Sequence, residues 1–284
     1  MKSLSDCRLY TFVDMGCLRG RSPEQLAGQL CDGGSDLIQL RAKGYSADEI
    51  RRLAERLLPI TERAGIGLVI NDHPRIAREI GAPLCHLGQE DFFAAGHAHT
   101  SELRHRDAKL QIGLSTHAVA QGERALAAGA DYVAIGPVHA TPTKPAARPV
   151  TLELVRWAAA RVSIPWFAIG GITLQNLDEI LAAGARRICV VSAILNAPAV
   201  ADACRQFKDR LPARCVDPTA TSNSPSSPRE ERVGRGPRRG ETNKNPPPLP
   251  GPLLHPMEAR EKSRSLVQPC GDSPTSATLP SQTS

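Results

Sequence analysis

The chain has 284 residues, 41% hydrophobic and 23% charged, a composition that suits a globular protein with one sizeable core. No run of about 18 apolar residues marks a membrane-spanning helix, and Met1 to Tyr10 lacks the apolar stretch of a secretory leader. The formal charge of +6 is modest, and aromatics do not interleave with the basic residues, so a small anionic ligand fits better than nucleic acid or a membrane surface. Eight cysteines form no C-x-x-C pair, which points to a reduced, cytoplasmic chain rather than a disulfide scaffold.

Short apolar runs alternate with amphipathic stretches at a period of roughly 25 residues. In chain order the expected strands are RLYTFV from Arg8, DLIQL from Asp36, GLVI from Gly67, LCHL from Leu84, LQIGL from Leu110, DYVAI from Asp131, PWFAI from Pro165 and ICVV from Ile188. Helices are expected between them from Ser22, Ser46, Thr116 and Thr173, several opening on a Ser or Thr cap and closing on Gly, with a capping box at Ser46–Glu49. Eight strands alternating with helices in about 210 residues predict an α/β fold, a (β/α)8 TIM barrel. An open doubly wound sheet is the alternative, but VDMGCLRG after the first strand is no G-x-G-x-x-G turn.

From Asp217 onward the composition changes: this segment has no aromatic residue and holds 13 of the 24 prolines. Too little apolar surface is present there to offset ordering entropy, so residues 214–284 are expected to be a Pro/Ser/Arg-rich disordered tail behind a barrel domain of residues 1–213. Pro246 to Pro248 form a short polyproline run of the kind peptide-binding modules grip, although an extension without function is the simpler reading.

Barrel chemistry collects where strands end. Period-two alternation puts Gln39, Arg41 and Lys43 on one side of the second strand, a set suited to a diphosphate or carboxylate, or else a solvated pair of charges. Asp72 after the third strand and Asp91 after the fourth can converge on one hard cation such as Mg2+. Helix capping would account for Asp72 but gives no reason for Asp91. His86, inside an apolar strand, reads as a structural histidine. Ser115 is a nucleophile only if a base and a carboxylate can be assigned, and no spacing assigns them. Thr141, Thr143 and Lys144 offer hydroxyls and a cation after the sixth strand, while Gly171, Val191 and Ser192 sit in the loops that habitually bind phosphate. Together these form a neutral anion site and a cationic one, an arrangement that invites a joining reaction with diphosphate as the leaving group.

The motifs QLRAK, IND, HLGQED, GLSTH, DYVAIGPVHATPTK, AIGGI and VVSAI, in this order and spacing, closely resemble the thiamine-phosphate synthase family, from about Arg8 to about Leu211. The resemblance implies a Mg2+-dependent transferase of thiamine biosynthesis that joins a hydroxymethylpyrimidine diphosphate to a thiazole phosphate, or its carboxylated form, releasing pyrophosphate. It implies that Gln39, Leu40, Arg41, Ala42, Lys43 and Asn71 hold the pyrimidine diphosphate, with Ser115 and Lys144 completing that site. Asp72 and Asp91 would hold Mg2+, and Thr141, Pro142, Thr143, Gly171, Val191 and Ser192 the thiazole phosphate. Catalysis would be electrostatic, through Arg41, Lys43, Lys144 and Ser115. Ala42 stands where the family often has an acidic residue, and the tail has no counterpart in it. Two small-molecule substrates are the implied partners, and the oligomeric state is left open, a homo-oligomer included. The rival readings are the thiazole tautomerase, a sister barrel that lacks the need for a diphosphate and metal set, and a degenerate barrel that recruits partners through its tail.

Overall fold

A computed structural model describes residues 1–104, 109–141 and 149–213. Eight parallel strands close in sequential order: β1 (Leu9–Asp14), β2 (Leu37–Arg41), β3 (Gly67–Asn71), β4 (Leu84–Leu87), β5 (Gln111–Thr116), β6 (Tyr132–Ile135), β7 (Trp166–Ile169) and β8 (Ile188–Cys189), with β8 pairing back onto β1. Around them run α1 (Pro23–Asp32), α2 (Ala47–Arg63), α3 (Pro74–Ile80), α4 (Gln89–Ala94), α5 (Val119–Ala127), α6 (Thr151–Arg161), α7 (Leu177–Ala182), α8 (Ser192–Leu195) and α9 (Val200–Arg210). The expected (β/α)8 barrel is the fold. The expected tail, residues 214–284 with Pro246 to Pro248, lies outside the described residues.

Local chemistry accounts for several boundaries. Ser46 accepts from the backbone N–H of Glu49, whose carboxylate in turn accepts from the N–H of Ser46, so α2 opens on the expected reciprocal box. Ser22 and Gln25 do the same for α1. Pro59 lies on the exposed side of α2, where water can satisfy the carbonyl that loses its partner.

Two helices start later than their capping residues suggest. Thr116 is the last residue of β5 rather than a cap, and its buried hydroxyl donates to the carbonyl of Ala134 at 3.1 Å. Helix α5 begins at Val119, and Gln121 satisfies the N–H of His117 at 2.7 Å from within it. Thr173 and Asn176 exchange reciprocal hydrogen bonds in the turn before α7. Asp72 is no cap either: α3 begins at Pro74, and capping therefore gives no reason for an aspartate there.

Alternation sorts the strand residues. Ile38, Leu40, Leu68, Ile70, Ile112 and Leu114 are buried aliphatics in the core between strands and helices. The opposite phase fills the barrel interior with rings. Tyr10, Tyr132 and Phe167 meet edge to face, with centroids 5.4 to 6.3 Å apart. Glycine at 113 is required by this packing, since a Cβ there would lie 2.1 Å from Cζ of Tyr132.

At the amino-terminal face of the barrel, the buried carboxylate of Asp36 accepts from the backbone N–H groups of Arg8 and Leu9 at 2.8 and 3.0 Å, from Nζ of Lys2 at 3.1 Å, and from Nζ of Lys208. Burial alone would raise its pKa, but the Lys208 ammonium and the two backbone donors hold it below the usual carboxylate value. This cluster ties the N-terminal segment, β1, β2 and α9 together at the end of the barrel away from the strands' carboxyl ends.

Candidate active site

The carboxyl ends of the strands enclose a cavity of about 140 Å3. Its polar wall is built by alternation at β2, which brings Gln39 and Arg41 inward, with Lys43 in the loop beyond. Asn71 and Asp72 at the end of β3, Asp91 in α4, and Ser115 on β5 continue the wall. Thr141, Gly171, Val191 and Ser192 line the other side. Leu40 and Ala42 are in the opposite phase, with side chains in the core at 1% and 7% exposure, so only their backbone faces any ligand on this strand. Pro142, Thr143 and Lys144 lie outside the described residues.

Gln39 is buried and its amide donates to the hydroxyl of Tyr10, which fixes the amide on the cavity floor. The phenols of Tyr10 and Tyr132 are pushed well up by burial, so both remain neutral. Asp72 occupies a left-handed backbone conformation, φ +61°, uncommon for a residue with a Cβ. Its N–H donates to the carbonyl of His86 at 2.8 Å, and its Oδ2 accepts from Nδ2 of Asn71 at 2.6 Å. Across β4, the glycine before α4 makes room for the second carboxylate: a Cβ on Gly88 would lie 2.8 Å from Oδ2 of Asp91.

Ser115 is not set up as a nucleophile. Its hydroxyl accepts from the backbone N–H of Gln89 at 3.4 Å, and among the described residues no histidine bonds it. Cys189 lines the cavity, but burial pushes its thiol well up and keeps it neutral. The site therefore offers cations, hydroxyls, amides and two carboxylates, with no activated nucleophile among the described residues.

The Gly170–Gly171 pair has a packing reason besides ligand approach. After β6 the chain keeps pairing with the end of β7, through Val138 N–H to Ile169 at 2.8 Å and His139 N–H to Gly170 at 3.1 Å. Both glycines have positive φ, and a Cβ on Gly171 would lie 2.6 Å from the carbonyl oxygen of Ala140. Val138 to Ala140 after β6 and the Gly170–Gly171 turn after β7 are thereby held against each other.

Several residues of the site were not singled out from the sequence. Phe12, Ala134, Ile169 and Ile172 form an apolar flank. His86, read as structural, does pack at 5.6 Å from Tyr132, yet it also lines the cavity. His117 lines it too, with Nδ1 against the carbonyl of Gly136. Asp14, which stands beside the lining rather than in it, was missed because the first strand was expected to stop at Val13. It extends one residue further, and Oδ2 of Asp14 pairs with NH1 of Arg41 at 2.7 Å. The available signal was phase: Tyr10, Phe12 and Asp14 alternate inward.

Residues 9–194 match the family model described as thiamine monophosphate synthase. Thiamine-phosphate synthase of Thermus thermophilus is 46% identical over 180 residues, covering 63% of this chain and 84% of that protein. The protein of that name from Acidothermus cellulolyticus is 44% identical over 213 residues, covering 74% and 98%. Among solved structures, thiamine phosphate pyrophosphorylase from Pyrococcus furiosus superposes with a TM-score of 0.61 at 25% identity, covering 72% of this chain and 96% of that one. A barrel, a carboxyl-end cavity lined by Gln39, Arg41, Asp72, Asp91 and Ser192 among others, and relatives matched over 84 to 98% of their length agree: the chain belongs to the thiamine monophosphate synthase family.

Proposed function

We propose that this chain joins a pyrimidine bearing a methylene diphosphate to a thiazole phosphate, giving thiamine phosphate and pyrophosphate. The observation that carries this reading is the division of one cavity into a charged wall, with Arg41, Lys43, Asp72 and Asp91, and a largely uncharged wall with Gly171, Val191 and Ser192. Two differently built anion sites facing a shared apolar flank suit two phosphorylated rings brought together.

In this reading the bond from the pyrimidine methylene to the diphosphate oxygen breaks, and its electron pair leaves with pyrophosphate. The thiazole nitrogen then donates its lone pair to the methylene carbon. No protein nucleophile is needed. Arg41, Lys43 and Lys144 neutralise charge as it grows on the departing group, an electrostatic form of catalysis. Gln39 and Asn71 orient the pyrimidine diphosphate, and Ser115 donates to it. Gly171, Val191 and Ser192 hold the thiazole phosphate together with Thr141, Pro142 and Thr143. The aliphatic and aromatic flank excludes water from the cation formed at the methylene.

The residues suit Mg2+. Asp72 and Asp91 are hard oxygen donors, and among the described residues no cluster of three or more metal-ligating side chains stands nearby to complete an all-protein cage. Mg2+ prefers one or two carboxylates, with water and phosphate oxygens in its other positions. When bound there it would supply charge neutralisation for the diphosphate.

The small-molecule partners follow from the same reading. Among the described residues no helix is long and apolar enough to cross a membrane. The test is incubation of the full chain with both substrates and Mg2+, following thiamine phosphate and pyrophosphate together. Formation of both in equal amounts is expected; binding of either substrate without turnover would overturn the assignment.

A further inference from the structure

Behind Arg41 in the wall of the cavity that is to accept a diphosphate stands an aspartate that lies outside the metal set, and capping of the short turn Met15–Cys17 accounts for only one of its carboxylate oxygens. Asp14 ends β1, is only 3% exposed, and lies directly opposite Arg41 in the β1–β2 register. Its Oδ2 accepts from NH1 of Arg41 at 2.7 Å, and its Oδ1 accepts from the backbone N–H of Gly16 at 3.0 Å. Among the described residues the Arg41 guanidinium has no other hydrogen-bond partner, which leaves its remaining N–H groups for a ligand in the cavity that Arg41 lines.

A carboxylate beside an anion site works against ground-state binding of a diphosphate, because it repels the ligand that Arg41 attracts. Its presence therefore calls for a geometric reason. An arginine on a long, rotatable side chain loses entropy when it is held in one pose, and a buried carboxylate in strand register can impose that pose before the substrate arrives. We propose that Asp14 is the positioning residue of Arg41: it aims the guanidinium at the departing diphosphate and is retained for turnover rather than for affinity. This inference rests on the coupling reaction proposed above.

The informative variant is Asp14→Asn. The asparagine carbonyl can still accept from Gly16, while the amide nitrogen replaces an acceptor with a donor facing Arg41. The exchange thus breaks the Arg41 contact and preserves the turn. The expected result is a fall in kcat of about 10- to 100-fold. The KM for the pyrimidine diphosphate and product inhibition by pyrophosphate should be unchanged or tighter, because one repulsive charge is gone. In Asp14→Asn/Arg41→Ala, turnover should match that of Arg41→Ala alone, since the aspartate acts only through the arginine.

Wild-type kcat in Asp14→Asn, or a rise in KM with kcat preserved, would overturn the proposal. Should the single variant fail to fold, Arg41→Ala and the double variant still decide it, since the double variant leaves neither charge unpaired and in Arg41→Ala the Asp14 carboxylate keeps its bond from the N–H of Gly16; a further loss in the double variant overturns the proposal. A wild-type chain that forms no thiamine phosphate overturns the coupling reading and this inference with it, a result distinct from normal coupling by Asp14→Asn.

Discussion

Nδ2 of Asn71 donates to Oδ2 of Asp72 at 2.6 Å, a bond between sequence neighbours made possible by the left-handed backbone of Asp72 at φ +61°. That turn carries the carboxylate into the cavity instead of onto the start of α3. It also dictates how the proposed metal site should be tested. Alanine at 72 would remove the carboxylate and add backbone strain of about 1–2 kcal/mol, confusing two effects. Asparagine tolerates the left-handed region, so Asp72→Asn isolates the charge. With Asp91→Ala, it should lower turnover at least about 100-fold, as expected when a metal worth several kcal/mol is lost. Circular dichroism should be unchanged. Near-wild-type rates for either variant at saturating Mg2+ would refute the ligand assignment.

The two walls should separate kinetically. Ser192→Ala removes a neutral hydrogen bond present in ground and transition states alike, so the KM for thiazole phosphate should rise by roughly 2- to 12-fold with kcat little changed. Lys144→Ala removes charge assigned to the leaving group and should depress kcat by roughly 10- to 150-fold. Steady-state kinetics with each substrate varied in turn decides the matter; the reverse pattern would mean the walls are interchanged.

Asp36 supplies a contrast at the far face. Asp36→Asn breaks a buried ion pair with Lys208 and should lower stability by about 3–5 kcal/mol, while activity per folded molecule is kept. The pH sign follows from a carboxyl held below its ordinary value. Its stabilisation is fully present above the unfolded value of about 3.9 and is lost as pH falls through the lower folded value. Urea denaturation of both proteins should therefore show a gap that narrows only in acid. A constant gap down to about pH 2 would contradict the assigned shift.

Truncation after Ala213 should leave kcat and Tm unchanged, because the removed segment has no aromatic residue and is rich in proline. The cut is placed there to spare the carbonyls of Leu211 and Pro212, which accept from NH1 of Arg8 at 3.1 and 2.7 Å. A Tm lowered by several degrees would show that the tail contributes to the fold.

Much of this protein was legible without coordinates, because barrel strands and helices are set by short-range patterns. The apolar runs DLIQL, GLVI and LCHL became β2, β3 and β4, the first two extending one residue further to Arg41 and Asn71, and alternation alone put Gln39 and Arg41 on one face. The order of motifs along the chain determined which residues reach one cavity, since each strand of a sequentially wound barrel delivers its end to the same rim. Relations between strands were decided only by the closed structure. Nothing local states that Asp14 stands opposite Arg41, because the register of β1 on β2 depends on the packing of both. The same holds for Gly113, whose missing side chain is filled by Tyr132 from the neighbouring strand, and for Gly170 and Gly171, held against the loop after β6. Sequence determined which groups are present at the rim; tertiary packing decided how each is oriented, because orientation depends on partners distant along the chain.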